Sequence, residues 1–147
     1  MNNKANEQIR LMNCAINGTI SVYGILARRY GLNYNSLMVV YTIENNEKCT
    51  QKLICDILQL PKSTVHSILL DFVKKEYMTL QTEAENKKEK IICLTAYGKS
   101  YFDEIMRDVH KNENKALEKI GSDICTQLVT SNLAFYEAFR EEAEKHE

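Results

Sequence analysis

Apolar residues recur at three-and-four spacing through much of the chain, and the breaks in that spacing divide it into elements. From Glu7 to Arg29 there are two stripes. Ile9, Met12, Ile16, Ile20, Tyr23 and Ala27 form one; Leu11, Cys14, Ala15, Val22, Ile25 and Leu26 form the other. A helix apolar over so much of its circumference is buried on more than one side, so one stripe is expected on its own domain and one on a partner. Leu37, Met38, Val39, Val40 and Ile43 predict a short second helix over about 36–44, broken by Asn45-Asn46-Glu47-Lys48. Thr50 suits the N-cap of a third helix carrying Leu53, Ile54 and Ile57.

The next stretch keeps helical spacing on both sides of a tight polar turn. Ile54, Ile57 and Leu58 precede it; Val65, Ile68, Leu69, Phe72 and Val73 follow. Leu60 can plug the angle between the two helices. Pro61, with fixed φ and no N–H, is tolerated at a helix start and poor inside one, so the second helix begins near Lys62 and runs to about Lys75. The period then changes. Residues 77–82 and 90–94 have strand composition and flank a charged run at 83–89, which predicts a hairpin wing. Thr95 offers a hydroxyl cap to a long charged helix from Ala96 to about Leu117, with Phe102, Ile105, Met106 and Val109 on one face. Gly121 interrupts it, and Ser122 is expected to cap a last helix with Ile124, Leu128, Leu133, Phe135, Tyr136 and Phe139 on its apolar side. The expected fold is mainly α with a small β-hairpin wing. A winged helix-turn-helix over 34–95 is flanked by dimerisation helices at 5–33 and 96–147, in one domain of 1–147.

A helix that opens Lys-Ser-Thr and turns its apolar stripe inward leaves Lys62, Ser63, Thr64, His66 and Ser67 near its exposed start, the part of a recognition helix that meets base edges. The bland alternative is a solvated helix start. In the hairpin, Lys87, Lys88 and Lys90 are candidates for DNA contact; alternatively they are surface lysines offset by Glu83, Glu85 and Glu89. Charge is a caution. The net charge is -1, and residues 34–95 hold eight lysines, eight acids and no arginine, so binding depends on how charges are sorted in space. A dimer doubles the phosphate contacts, and its symmetry implies a palindromic double-stranded operator with half-sites about one helical turn, roughly 34 Å, apart.

Composition excludes several classes. With 44% hydrophobic and 27% charged residues in 147, the chain suits a globular domain, and no run approaches the ~20 apolar residues of a membrane span. The first seven residues lack the apolar core of a signal peptide, so a cytoplasmic protein is expected. Five scattered cysteines argue against a disulfide scaffold. There is no glycine-rich phosphate loop, nucleophile elbow or recognisable acid pair, so neither an enzyme nor a cofactor is expected.

The order of elements resembles the MarR family of bacterial winged-helix regulators. The run Leu58-Gln59-Leu60-Pro61-Lys62-Ser63-Thr64-Val65 is similar to the family's helix-turn-helix, and Leu94-Thr95-Ala96-Tyr97-Gly98 to the motif that follows its wing. Two positions depart from it. Asn86-Lys87-Lys88 stands for aspartate-x-arginine at the wing tip, putting Lys88 in place of a minor-groove arginine, and Glu76 stands for the glycine that closes the recognition helix. If that position is left-handed, glutamate there costs about 1 kcal/mol.

The resemblance implies a homodimeric repressor, released by a small aromatic effector held in a cleft between dimer helices and reader head. Tyr23, Arg28, Tyr30, Tyr34 and Tyr41 are the candidate lining; a core role for Tyr23 and Tyr41 and a surface one for Arg28 is the alternative. The peroxide-sensing branch has a reactive cysteine in the region of Cys14, which reads otherwise as a buried apolar thiol. Zinc-sensing relatives use the region of His110 and Glu113, here more simply a solvated helix face, and no metal is expected. The rival function is a winged-helix dimer that serves as a protein-interaction module without strong DNA binding.

Overall fold

Among the described residues, six helices and one hairpin follow the expected order: α1 (Asn3–Arg28), α2 (Tyr34–Glu44), α3 (Gln51–Leu58), α4 (Lys62–Lys74), β1 (Met78–Thr82), β2 (Lys90–Leu94), α5 (Ala96–Ile120) and α6 (Ser122–Glu144). This is a computed structural model that describes residues 3–82 and 89–145. The chain divides into two units, Met1–Val109 and His110–Glu147.

In the first unit the core is built where α2, α3, α4, the hairpin and the start of α5 turn their apolar sides together. Phe72, Leu37, Ile54, Leu69, Met78, Ile105 and Met106 are fully buried there. Each helix end has a local cause. Gly31, at φ 68°, closes α1: Leu32 N–H donates to Ala27 O (3.0 Å) and Gly31 N–H to Arg28 O (3.2 Å), the paired bonds of a left-handed cap. Asn33 then caps α2, its Oδ1 accepting from Ser36 N–H at 2.9 Å. That cap brings the start of α2 forward to Tyr34, ahead of the 36 expected from apolar spacing. Thr50 caps α3 as expected, accepting from Leu53 N–H at 3.2 Å. Left-handed Gln59, φ 51°, ends it.

Glu76 closes α4 at φ 60°, the left-handed state anticipated for that position. Tyr77 N–H donates to Phe72 O and Glu76 N–H to Val73 O, both at 3.0 Å. The hairpin pairs Met78 with Leu94 through Thr82 with Lys90, antiparallel. Cys49 and Thr50 add an edge: Thr50 bridges Ile91, and Ile92 N–H donates to Cys49 O at 2.9 Å. Thr95 ties the wing to α5. Its hydroxyl donates to Glu76 O (2.7 Å) and accepts from Gly98 N–H (2.9 Å). Gly98 lies so near Tyr77 that an added Cβ would fall 1.8 Å from the Tyr77 carbonyl oxygen.

Three expectations need correction. Of the two α1 stripes, only Leu26 and Ala27 are buried, with Tyr23 and Met12 half-buried; Ile9, Leu11, Ile16, Ile20, Val22 and Ile25 are exposed. The own-domain face is therefore confined to the last turns, and Cys14, further up, is exposed rather than buried. Ile57 is 50% exposed, because only one side of the eight-residue α3 meets the core and Ile54 occupies it. Ser122 is the first residue of α6, not its cap. Gly121 takes that place at φ 83°, a backbone angle that suits glycine.

In the second unit, α6 buries no residue. Ile124, Leu128, Phe135 and Tyr136 remain open, as does Phe139 at 65% exposure, and Phe135 stacks on Phe139 at 5.6 Å.

Candidate nucleic-acid interface

Val65, Ile68, Leu69 and Phe72 anchor one side of α4 in the core, and that burial decides what the other side presents. Lys62, Ser63, His66 and Ser67 are exposed and Thr64 is half-buried, so the five residues singled out by pattern share the outer start of one helix. Pro61 precedes them at φ -57°, with its carbonyl accepting from Thr64 and Val65 N–H. Among the described residues no side chain caps α4, whose first turn is the positive end of the helix dipole. Such an end suits a phosphate oxygen. Asn33, Asn35, Ser63, Thr64, Ser67 and Ile68 line a shallow recess of about 380 Å³, which joins the start of α2 to the start of α4.

Gln51, the first residue of α3, also belongs here. Its Nε2–H donates to Lys62 O at 3.3 Å, and its Oε1 lies 3.4 Å from His66 Nδ1. Apolar periodicity could not find it; the only signal is its place directly after the Thr50 cap. Just past the end of α4, Lys75 pairs with Asp71 at 2.7 Å, so that cation is already engaged. Lys90, exposed, opens β2 opposite Thr82. Lys87 and Lys88 lie outside the described residues.

The candidate effector residues lie on α1, in the turn after it and on α2. Tyr23, Tyr30 and Tyr41 pack against the core, Tyr34 is half-buried at the start of α2, and Arg28 is exposed. Tyr30 belongs to an aromatic tier. Its carbonyl accepts from Tyr101 Oη–H at 2.5 Å, Tyr101 stacks on Tyr77 at 4.7 Å, and Tyr77 and Phe102 both touch Phe72. Burial, with the neighbouring Tyr77 next, pushes the Tyr101 phenol up to about 12. Burial and then the Asp108 charge push Tyr30 up as well. A cavity of about 490 Å³ opens elsewhere, between the end of α2, β2 and α5, over Val40, Ile43, Cys49, Ile92, Phe102 and Met106. Burial pushes the Cys49 thiol up to about 11. In the second unit, His110 Nδ1 and Glu113 Oε2 pair at 2.9 Å, and no set of three metal-ligating side chains occurs among the described residues.

A reader helix set on a buried base, followed at once by an antiparallel hairpin and a long helix, defines the winged helix-turn-helix class. Comparison with known proteins narrows the class. Residues 30–89 match the model of the MarR family. The HTH-type transcriptional regulator SarZ of Staphylococcus aureus is 29% identical over 111 residues, 74% of this chain and 75% of that protein. A MarR family regulator from Neisseria meningitidis superposes with a TM-score of 0.83 over 95% of this chain and 99% of that one, at 23% identity. The Staphylococcus aureus MarR solved in complex with salicylate and kanamycin gives 0.75 over 94% and 93%, at 16% identity. The chain is thus similar to the MarR family of transcriptional regulators through its helix-turn-helix and wing, and shares the fold of MarR structures.

Proposed function

We propose that the chain is a cytoplasmic, sequence-specific DNA-binding repressor that works as a homodimer. The observation that carries this is the division of α4: Val65, Ile68, Leu69 and Phe72 fix it, while Lys62, Ser63, His66 and Ser67 stand exposed at its open N-terminal end. In this reading that end enters the major groove. The helix dipole and Lys62 take phosphate, and the short donors meet base edges. The wing, through Lys87, Lys88 and Lys90, reaches the adjacent backbone. Lysine acts there as a point charge without arginine's planar fork, so the wing adds affinity more than sequence choice.

Two apolar surfaces support the dimer: the outer length of α1 and the whole of α6, both far beyond the scatter of single apolar residues normal on a monomer. An effector would act by changing the separation of the two reader heads, since heads at the wrong spacing cannot meet both half-sites. A relative of this fold was solved with salicylate, which makes a small aromatic acid a reasonable first compound to try against Tyr23, Arg28, Tyr30, Tyr34 and Tyr41. No helix among the described residues is long and apolar enough to cross a membrane.

The test is fluorescence anisotropy of the protein with its own upstream intergenic DNA and a scrambled duplex at two salt concentrations. Tight, sequence-dependent binding that weakens steeply with salt is expected. Equal and negligible binding to both would replace this reading with the protein-interaction module, which the even balance of lysines and acids over residues 34–95 favours.

A further inference from the structure

The bridge from α3 to α4 fixes more than a helix angle. The Lys62 carbonyl can only accept, so the Gln51 amide must turn its Nε2–H₂ toward it, at 3.3 Å. That leaves Oε1, which has only lone pairs, facing His66 Nδ1 at 3.4 Å. The contact is a hydrogen bond only when Nδ1 carries the proton. In a neutral imidazole the other nitrogen is then bare, so Nε2 is an acceptor. Two features hold Gln51 in place. The Thr50 hydroxyl caps the first turn of α3, and Thr50 is bridged to Ile91 of the wing.

We infer that Gln51 is a positioning residue for base readout, which holds neutral His66 in the Nδ1–H form so that its exposed face accepts a hydrogen bond from an amino-bearing base. The inference rests on the reading of α4 as the recognition helix. In the major groove adenine N6–H₂ and cytosine N4–H₂ are donors, whereas adenine N7, guanine N7 and O6 and thymine O4 are acceptors. An acceptor at Nε2 thus selects adenine or cytosine at the position it meets. The opposite tautomer, a donor at Nε2, would instead admit guanine, thymine or adenine through its N7, and would exclude cytosine. Gln51 decides which without touching DNA.

The experiment has two arms. Long-range ¹H–¹⁵N correlation spectra of the DNA-free protein, recorded where the ring is neutral, report which nitrogen carries the proton. His66→Ala, a change at an exposed residue, assigns the signal. The wild type is expected to show protonated Nδ1 and bare Nε2; Gln51→Ala is expected to return the ring to the Nε2–H form usual for free imidazole. Gln51→Glu, which keeps an acceptor, retains Nδ1–H. In the second arm, binding sites are selected from randomised duplexes. Gln51→Ala should lose roughly tenfold discrimination at one position per half-site, and should add nothing in a His66→Ala background.

An Nε2–H ring in the wild type overturns the inference whatever the DNA results. So does an Nδ1–H ring with unaltered site preference in Gln51→Ala. If the wild type shows no sequence-dependent binding at all, the regulator reading fails and the readout role with it. The DNA-free spectrum separates that failure from a failure of the tautomer.

Discussion

Glu76 carries a left-handed backbone, φ 60°, at the joint where the reader helix ends and the wing begins. A side chain there crowds its own backbone, whereas glycine does not. Glu76→Gly should therefore raise stability by about 1 kcal/mol, read as a higher urea midpoint at unchanged slope. A lower midpoint would mean that the glutamate side chain has a native partner worth more than the strain. The thiols differ in a comparable way. Cys49 is buried and its thiol is pushed up to about 11, while Cys14 is exposed. Mass spectrometry after iodoacetamide at pH 8 should find Cys49 unmodified in the folded protein and alkylated only once it is unfolded, because the thiolate is the nucleophile. Tyr101 sets a window at the alkaline end. Its folded value, about 12, lies above the ordinary 10 of an unfolded tyrosine. The stability that this adds is complete below pH 10 and is lost as pH rises toward 12. Tyr101→Phe gives up the bond to Tyr30 O, about 1 kcal/mol, but should show a shallower decline across that window in denaturant titrations.

Elements were legible in the sequence where one face of a helix or strand meets one core. The bounds of α4, of both strands and of the start of α5 follow from Pro61, from the change of period after Lys75 and from Thr95. Side chains whose effect crosses from one element to another were not. Asn33 advances α2 through a single hydrogen bond, and Gln51 bridges α3 and α4 over eleven residues of chain, beyond any local period. Apolar content also could not show which side of α1 its own fold would cover, because a stripe meant for a partner and one meant for a core have the same composition. Gly98 against Tyr77 is a close joint between α5 and the start of the wing. No methyl group fits at 1.8 Å from a carbonyl oxygen, so Gly98→Ala must push α5 away from the wing and open the contact of Phe102 with Phe72. A loss of about 3 kcal/mol or more is expected in chemical denaturation, in the range of severe core disruption. Wild-type stability would show that α5 can slide at little cost.

For the whole molecule, the exposed apolar residues of α1 and α6 make assembly the first question. Leu128 and Phe135, seven residues apart, lie on one face of α6. Leu128→Glu with Phe135→Glu should give a monomer in sedimentation velocity, and in DNA titrations should roughly halve the slope of log affinity against log salt, since one head contacts half as many phosphates. A doubly substituted chain that stays dimeric would place the interface on α1 instead. The aromatic tier has a further, optical consequence. The chain has eight tyrosines and no tryptophan, so no indole absorbs or masks the emission of its phenols. Tyr77, Tyr97 and Tyr101 crowd together where the reader helix, the wing and α5 converge, and Tyr101 reaches back to Tyr30, two residues past α1. Near-ultraviolet dichroism and tyrosine fluorescence therefore report from that crossing, and the protein carries its own label for any ligand that moves it.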